Sequence, residues 1–269
     1  MASPQVRHAY VKVEQSAAAV VSAALEKGGV PQTPEQALML SEQLFDVVQD
    51  MRAKQWATQA AVIRQKHPGL KLAAPREYRL EYLYKLVLRS SGLASGGGAR
   101  VPAAMLDEAT RAVEVAKIVP FMAAAEEGTL VSLTARIAAG LARHGKAAGR
   151  ELVIDTAYDA GYRWARQLSG AENCAFCAML VSRGAVYSER TAHFQAHNNC
   201  DCTAALVAPG QPKFSPQAAR LNELWNRAKR DSGGATYKDT LGEFRKVIDE
   251  KPGTIRRIGR LADYEAMAA

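Results

Sequence analysis

Cys174 to Tyr187 reads CAFCAMLVSRGAVY, and His197 to Cys202 reads HNNCDC; all four cysteines of the 269-residue chain fall between positions 174 and 202. The spacing is C-x2-C followed by H-x2-C-x-C. Zinc takes four nitrogen or sulfur ligands in a tetrahedron, and this segment offers five candidates: Cys174, Cys177, His197, Cys200 and Cys202. One of them is then a supporting residue or lies outside the site. Four unrelated buried thiols would not bunch in this way. A thioredoxin-like redox pair needs its C-x-x-C at a helix start within a βαβ unit, and the flanking sequence shows no such unit. A zinc deaminase needs H-x-E and P-C-x2-C, whereas Asn199 stands two after His197 and Asn173 precedes Cys174. No H-E-x-x-H is present. Four protein ligands would close the site and leave no position for a reactive water, which makes it structural.

The residues between the pairs fit that reading. Ser182-Arg183-Gly184 reads as a turn in which Gly184 takes positive φ. Phe176, Met179, Leu180, Val186 and Tyr187 would pack around a small metal-centred core. Arg183 reads as a solvated turn residue or one that reaches a phosphate. Cys200 with His197 or His193 is the alternative use of the cluster, as a nucleophile and its base. A metal-bound thiolate is a poor free nucleophile, so the two uses compete.

Outside the cluster the chain reads as mainly α. Thr33-Pro34-Glu35-Gln36 is a helix start, with Thr33 as N-cap, Pro34 at the first helical position and Gln36 at the capping-box position. That helix is expected to run to Pro68-Gly69. A second covers Arg76 to Leu93 and is dense enough in Tyr and Leu to be buried on more than one side. The stretch 90–102, SSGLASGGGARVP, reads as a flexible linker. Helices are expected again over 103–117 and 130–168, the latter interrupted at RHGKAAG by Gly145 and Gly149. GAVYS and CDCTAALVA are the best candidates for β structure. Ser215-Pro216 caps a helix through Arg230, and Lys238–Glu250 makes another. The expected architecture is an N-terminal helical domain (1–93), a Gly-rich linker (94–102), and a helical domain (103–269) completed by a small α+β zinc-knuckle unit.

Composition bounds the rest. Apolar residues make up 48% of the chain, enough for a real core, and aromatics only 7%. The net charge is +8. Residues 131–269 carry 20 basic and 14 acidic side chains against 15 and 13 in residues 1–130. A basic half suits packaged DNA or an acidic protein surface, and equally simple solubility. The polar N-terminus shows no secretory signal, and no 18-residue apolar run exists, so the expectation is a chain that folds in a reducing cytosol and meets no membrane.

The stretch 161–207, from GYRWARQ through the cysteines to CDCTAALV, resembles the C-terminal region of phage Mu F-like head morphogenesis proteins, the minor capsid proteins of tailed phages, in their actinobacterial-phage branch. The shared pattern covers Cys174, Phe176, Cys177, Met179, Leu180, Ser182, Arg183, Gly184, Tyr187, His197, Cys200 and Cys202. The resemblance extends over about 129–250 and reaches the first hundred residues only through helical character. It implies a virion protein that is assembled in the host cytoplasm and associates with the portal protein, the major capsid protein or the capsid interior. Proteins of this branch often carry the label capsid maturation protease, but the chain has no G-x-S-x-G or other motif that would carry proteolysis. The competing readings are therefore that protease, and a zinc-containing DNA-binding protein with salt-sensitive affinity.

Overall fold

The computed structural model describes residues 3–93, 127–169, 175–188, 194, 196–198, 200–233 and 236–249. Among them the chain forms seven helices and one two-stranded sheet: α1 (Pro4–Gly28), α2 (Pro34–Lys66), α3 (Leu80–Ser90), α4 (Glu127–Asp159), β1 (Arg163–Gln167), α5 (Ala175–Ser182), β2 (Thr203–Val207), α6 (Pro216–Asp231) and α7 (Tyr237–Asp249). Mainly α is therefore right. The linker at 94–102 and the expected helix at 103–117 lie outside the described residues.

The chain divides into two compact units built from interleaved segments. Unit 1 takes residues 1–10, 55–75 and 147–269; unit 2 takes 11–54 and 76–146.

Among its described residues unit 2 has helices and no strand. Its core joins Val13, Ala17, Val21 and Leu25 of α1, Leu40, Leu44 and Val48 of α2, Leu83, Tyr84 and Val87 of α3, and Leu133, Ile137 and Leu141 of α4. The α1 stripe, recurring every three or four residues, is a helical face that the sequence reading left unassigned. At the start of α2 the amide of Gln36 donates to Thr33 Oγ1 at 3.3 Å, as a cap should. Gln36 itself accepts from the Gln32 amide at 2.7 Å, one residue earlier than a capping box would have it. α3 begins at Leu80, not Arg76, because Tyr78 packs in extended chain ahead of it, stacked on Phe45 at 5.9 Å under the Arg52 guanidinium.

α4 is continuous to Asp159, which corrects the expected interruption at Gly145 and Gly149. A Cβ on Gly140 would sit 2.3 Å from Leu86 Cδ1, and one on Gly145 would sit 3.1 Å from Val13 Cγ1. These glycines are where neighbouring helices come closest, and that contact offsets their poor helix propensity of about 1 kcal/mol each.

Half-buried His144 lies in this unit. Arg143 Nη2 donates to its Nε2 at 3.3 Å, so the ring is held neutral. Burial first, then the charges of Arg143 and Arg52, push its pKa down to about 3. In the unfolded chain the value returns to about 6.5. Between those values the unfolded state binds the extra proton, so this contribution is complete above pH 6.5 and is lost as pH falls. Acidification from pH 6.5 to 5 should cost about 2 kcal/mol from this group, at roughly 1.4 kcal/mol per pH unit. Urea unfolding of the wild type and His144→Gln across that range tests the point. Equal slopes in both would remove His144 as the cause.

Unit 1 holds the sheet and the cysteines. The expected helix to Leu168 stops at Asp159, and Gly161 turns the chain at φ 66 into β1. β1 pairs antiparallel with β2, Arg163 opposite Val207 and Gln167 opposite Thr203. Trp164 also donates from its amide to the Tyr187 carbonyl at 2.9 Å, so GAVYS supplies a single bridge and not a strand. Two strands alone are marginal. Trp164 supports them from the core, 1% exposed and stacked on Tyr187 with ring centroids 4.3 Å apart. α5 packs on β1 and on the α6–α7 pair. Ser215 caps α6 as expected, accepting from the Ala218 amide at 3.2 Å, and Thr236 and Asp239 cap α7 reciprocally.

A buried cysteine centre

Cys177 comes from the first turn of α5, and Cys200 and Cys202 from the loop that enters β2. α5 begins at Ala175, so the second cysteine of C-x2-C sits in the first turn of a helix. Cys174 and His193 lie outside the described residues. The three described thiols are at most 3% exposed, and their Sγ atoms all lie within 4.8 Å of one another, close enough to hold a metal ion. Cys177 Sγ is 3.7 Å from Cys200 Sγ and 3.3 Å from His197 Nε2. A tetrahedron with bonds of about 2.3 Å to sulfur and 2.0 Å to nitrogen has edges of roughly 3.8 Å between sulfurs and 3.5 Å from sulfur to nitrogen. The three sulfurs are spaced for a metal ion, while His197 approaches Cys177 alone and stands outside the mutually close group. His197 is exposed, yet its tautomer is set. Nδ1 donates to the Asn198 carbonyl at 2.6 Å, which leaves the Nε2 lone pair facing Cys177. Metal-binding histidines are usually fixed in this way.

The loop is placed from outside. The Cys200 amide donates to the His197 carbonyl at 3.2 Å, closing a turn. Register fixes Cys202, because Thr203 begins β2 opposite Gln167. Arg150 on α4 donates from Nη2 to the Cys200 carbonyl at 2.7 Å and from Nε to the Cys202 carbonyl at 2.9 Å. Ser169 donates to the Asp201 carbonyl between them. The apolar surround is Leu168, Ala178, Met179, Leu180 and Val181, with Leu221 and Phe244 from α6 and α7. Phe176, Met179 and Leu180 are at the centre as expected. Val186 is 42% exposed, and Tyr187 packs with Trp164 in a neighbouring cluster. Arg183 is exposed in the turn, and Gly184 has φ 69.

Electrostatics polarise the thiols. Hydrogen bonds from Cys177 and Cys202, with the charge of Arg150, hold Cys200 well below the usual thiol range against burial. For Cys202 the bond with Cys177 favours the thiolate, but the bond with Cys200, burial and the Cys200 charge push it well above that range. Burial opposes the charge of Arg150, while Tyr10, Cys200 and Cys202 hold its pKa above the ordinary value.

Sequence reasoning missed Arg150, Ser169 and Phe194. Arg150 carries a faint signal: it lies on the same helical face as Val153 and Ala157, both buried, where a solvated arginine would not be placed. Phe194 lies between two guanidinium groups, Arg166 at 3.7 Å and Arg150 at 4.9 Å from its ring centroid.

No helix among the described residues is long and apolar enough to cross a membrane. No curated protein and no solved structure matches the chain. The family described as VG15 protein, a phage gene-product family, matches residues 92–228, which contain α4, both strands, α5 and every cysteine. That is just over half of the 269 residues, and the chain belongs to the VG15 protein family of phages.

Proposed function

We propose that the chain is a minor capsid protein of a phage head, docking at the portal protein or the inner face of the major capsid protein during assembly and remaining in the virion. In this reading Cys177, Cys200 and Cys202 hold one structural zinc ion, with His197 and Cys174 as the candidates for the fourth ligand. The observation that carries it is the burial of the thiols in a phage-family chain, and the head-morphogenesis pattern around them supports it. Zinc would tie α5 to the loop before β2. The basic C-terminal half would face packaged DNA or an acidic partner surface.

The test is assembly. Heads produced with the wild-type gene should contain the protein and about one zinc per copy by elemental analysis. Heads from a deletion strain should be fewer or malformed. Normal, infectious heads lacking the protein would overturn the reading.

The 3.3 Å approach of His197 to Cys177 favours a second reading, the capsid maturation protease, with a thiol and an imidazole paired. Against it, Cys177 is 3% exposed, out of reach of a polypeptide substrate. Cleavage of the major capsid protein by purified chain, abolished in Cys177→Ala while zinc and stability persist, would make this the better reading.

A further inference from the structure

Arg150 is 2% exposed and always charged. Among the described residues no carboxylate pairs with it. Its surroundings are the carbonyls of Cys200 and Cys202 and the rings of Tyr10 and Phe194, at 5.4 and 4.9 Å from the guanidinium carbon. Burying a cation in such a place is costly unless an anion answers it. The carbonyls supply dipoles but no net charge. Both carbonyls belong to cysteines of the cluster, so the anions available are the thiolates themselves.

We propose that Arg150 is both the positioning residue and the buried counter-charge of the cysteine centre. The proposal rests on the zinc reading above and extends it. Three thiolates and one neutral imidazole around a divalent cation carry a net charge of −1, and Arg150 answers it beside Arg166, a second buried guanidinium that feels the same thiols. The same side chain fixes the loop. Three consecutive carbonyls, of Cys200, Asp201 and Cys202, each accept from a side chain outside the loop, two from Arg150 and one from Ser169. With its backbone held, the loop presents both sulfurs toward Cys177 before metal arrives, and less ordering is left for binding to drive. Arg150 touches no metal in this scheme and acts only through the ligands' backbone and charge.

The experiment uses full-length wild type, Arg150→Lys and Arg150→Met. Metal-free protein is titrated with Zn²⁺ against a chromophoric chelator, and Co²⁺ is substituted to read the thiolate-to-metal band. Circular dichroism checks the fold. Wild type should bind one equivalent. Arg150→Met should bind about 10- to 100-fold more weakly, the usual effect of losing an outer-shell partner, with a shifted Co²⁺ band. Arg150→Lys keeps the charge but not the fork, and should fall between the two. If wild type binds no zinc, the zinc reading fails and takes this proposal with it. If wild type binds and folded Arg150→Met matches it in affinity and Co²⁺ spectrum, the zinc reading stands and this proposal is overturned. Should Arg150→Met not fold, Arg150→Lys decides: affinity equal to wild type overturns the proposal, and measurably weaker binding with a retained fold supports it.

Discussion

Cys202→Ser is expected to unfold the cysteine-centred core of unit 1 and to abolish stoichiometric zinc. Cys202 is fully buried and shares the centre with Cys177 and Cys200. Structural zinc contributes roughly 10 kcal/mol or more of apparent binding free energy, while a domain is net stable by only about 5–15 kcal/mol. Losing one of four ligands therefore removes most of what holds α5 to the loop before β2. A hydroxyl in the thiol's place also has to find a partner in an apolar surround. A nucleophilic cysteine would behave in the opposite way, since its serine variant keeps the fold and loses turnover. Thermal unfolding, far-ultraviolet dichroism and zinc content read the difference. A Cys202→Ser protein with wild-type melting temperature and a full equivalent of zinc would end the structural-metal reading.

Gly184→Ala should cost about 2–5 kcal/mol. Two independent penalties add at this position. Its φ of 69 is a conformation that charges an L-residue about 1–2 kcal/mol. A Cβ there would also sit 2.6 Å from the Lys213 carbonyl oxygen and 2.9 Å from Phe214 Cδ1, overpacking worth about 1–3 kcal/mol. The neighbouring loop cannot easily withdraw, because the Ala185 amide donates to that same Lys213 carbonyl at 2.7 Å. Urea denaturation with an unchanged midpoint would show that the Lys213 segment yields freely and that the contact does not constrain the fold.

Gly184 also illustrates which features the sequence carried. Its positive φ was legible because a turn signal is local, but the closeness of Lys213 was not, since nothing in the sequence relates residues 184 and 213. The caps of α2 and α6 were readable for the same local reason. Gly145 and Gly149 misled because propensity sees only the cost of a glycine and not the helix that approaches it. β1 was missed because five residues with two arginines give little alternation to read, and the ring face that Phe194 offers to buried Arg166 is invisible to local pattern. At the cysteines, spacing was enough to bring Cys177, Cys200 and Cys202 together. Their relation to His197 depends on where α5 begins and on a carbonyl one residue beyond the histidine. Arg150 lies 50 residues from the loop it holds, a distance over which spacing says nothing.

The interleaving of the two units sets an order on biosynthesis. Every segment of unit 2 has been made once residue 146 is added, whereas unit 1 claims residues 1–10 and 55–75 and then waits for the chain beyond 147. At roughly 5–20 residues per second on the ribosome, the first ten residues precede Cys202 by about 10–40 seconds. Unit 2 thus has its full sequence while the cysteines are still being translated. If the centre takes a metal, capture would belong to the end of synthesis, once Cys202 has joined Cys177 and Cys200.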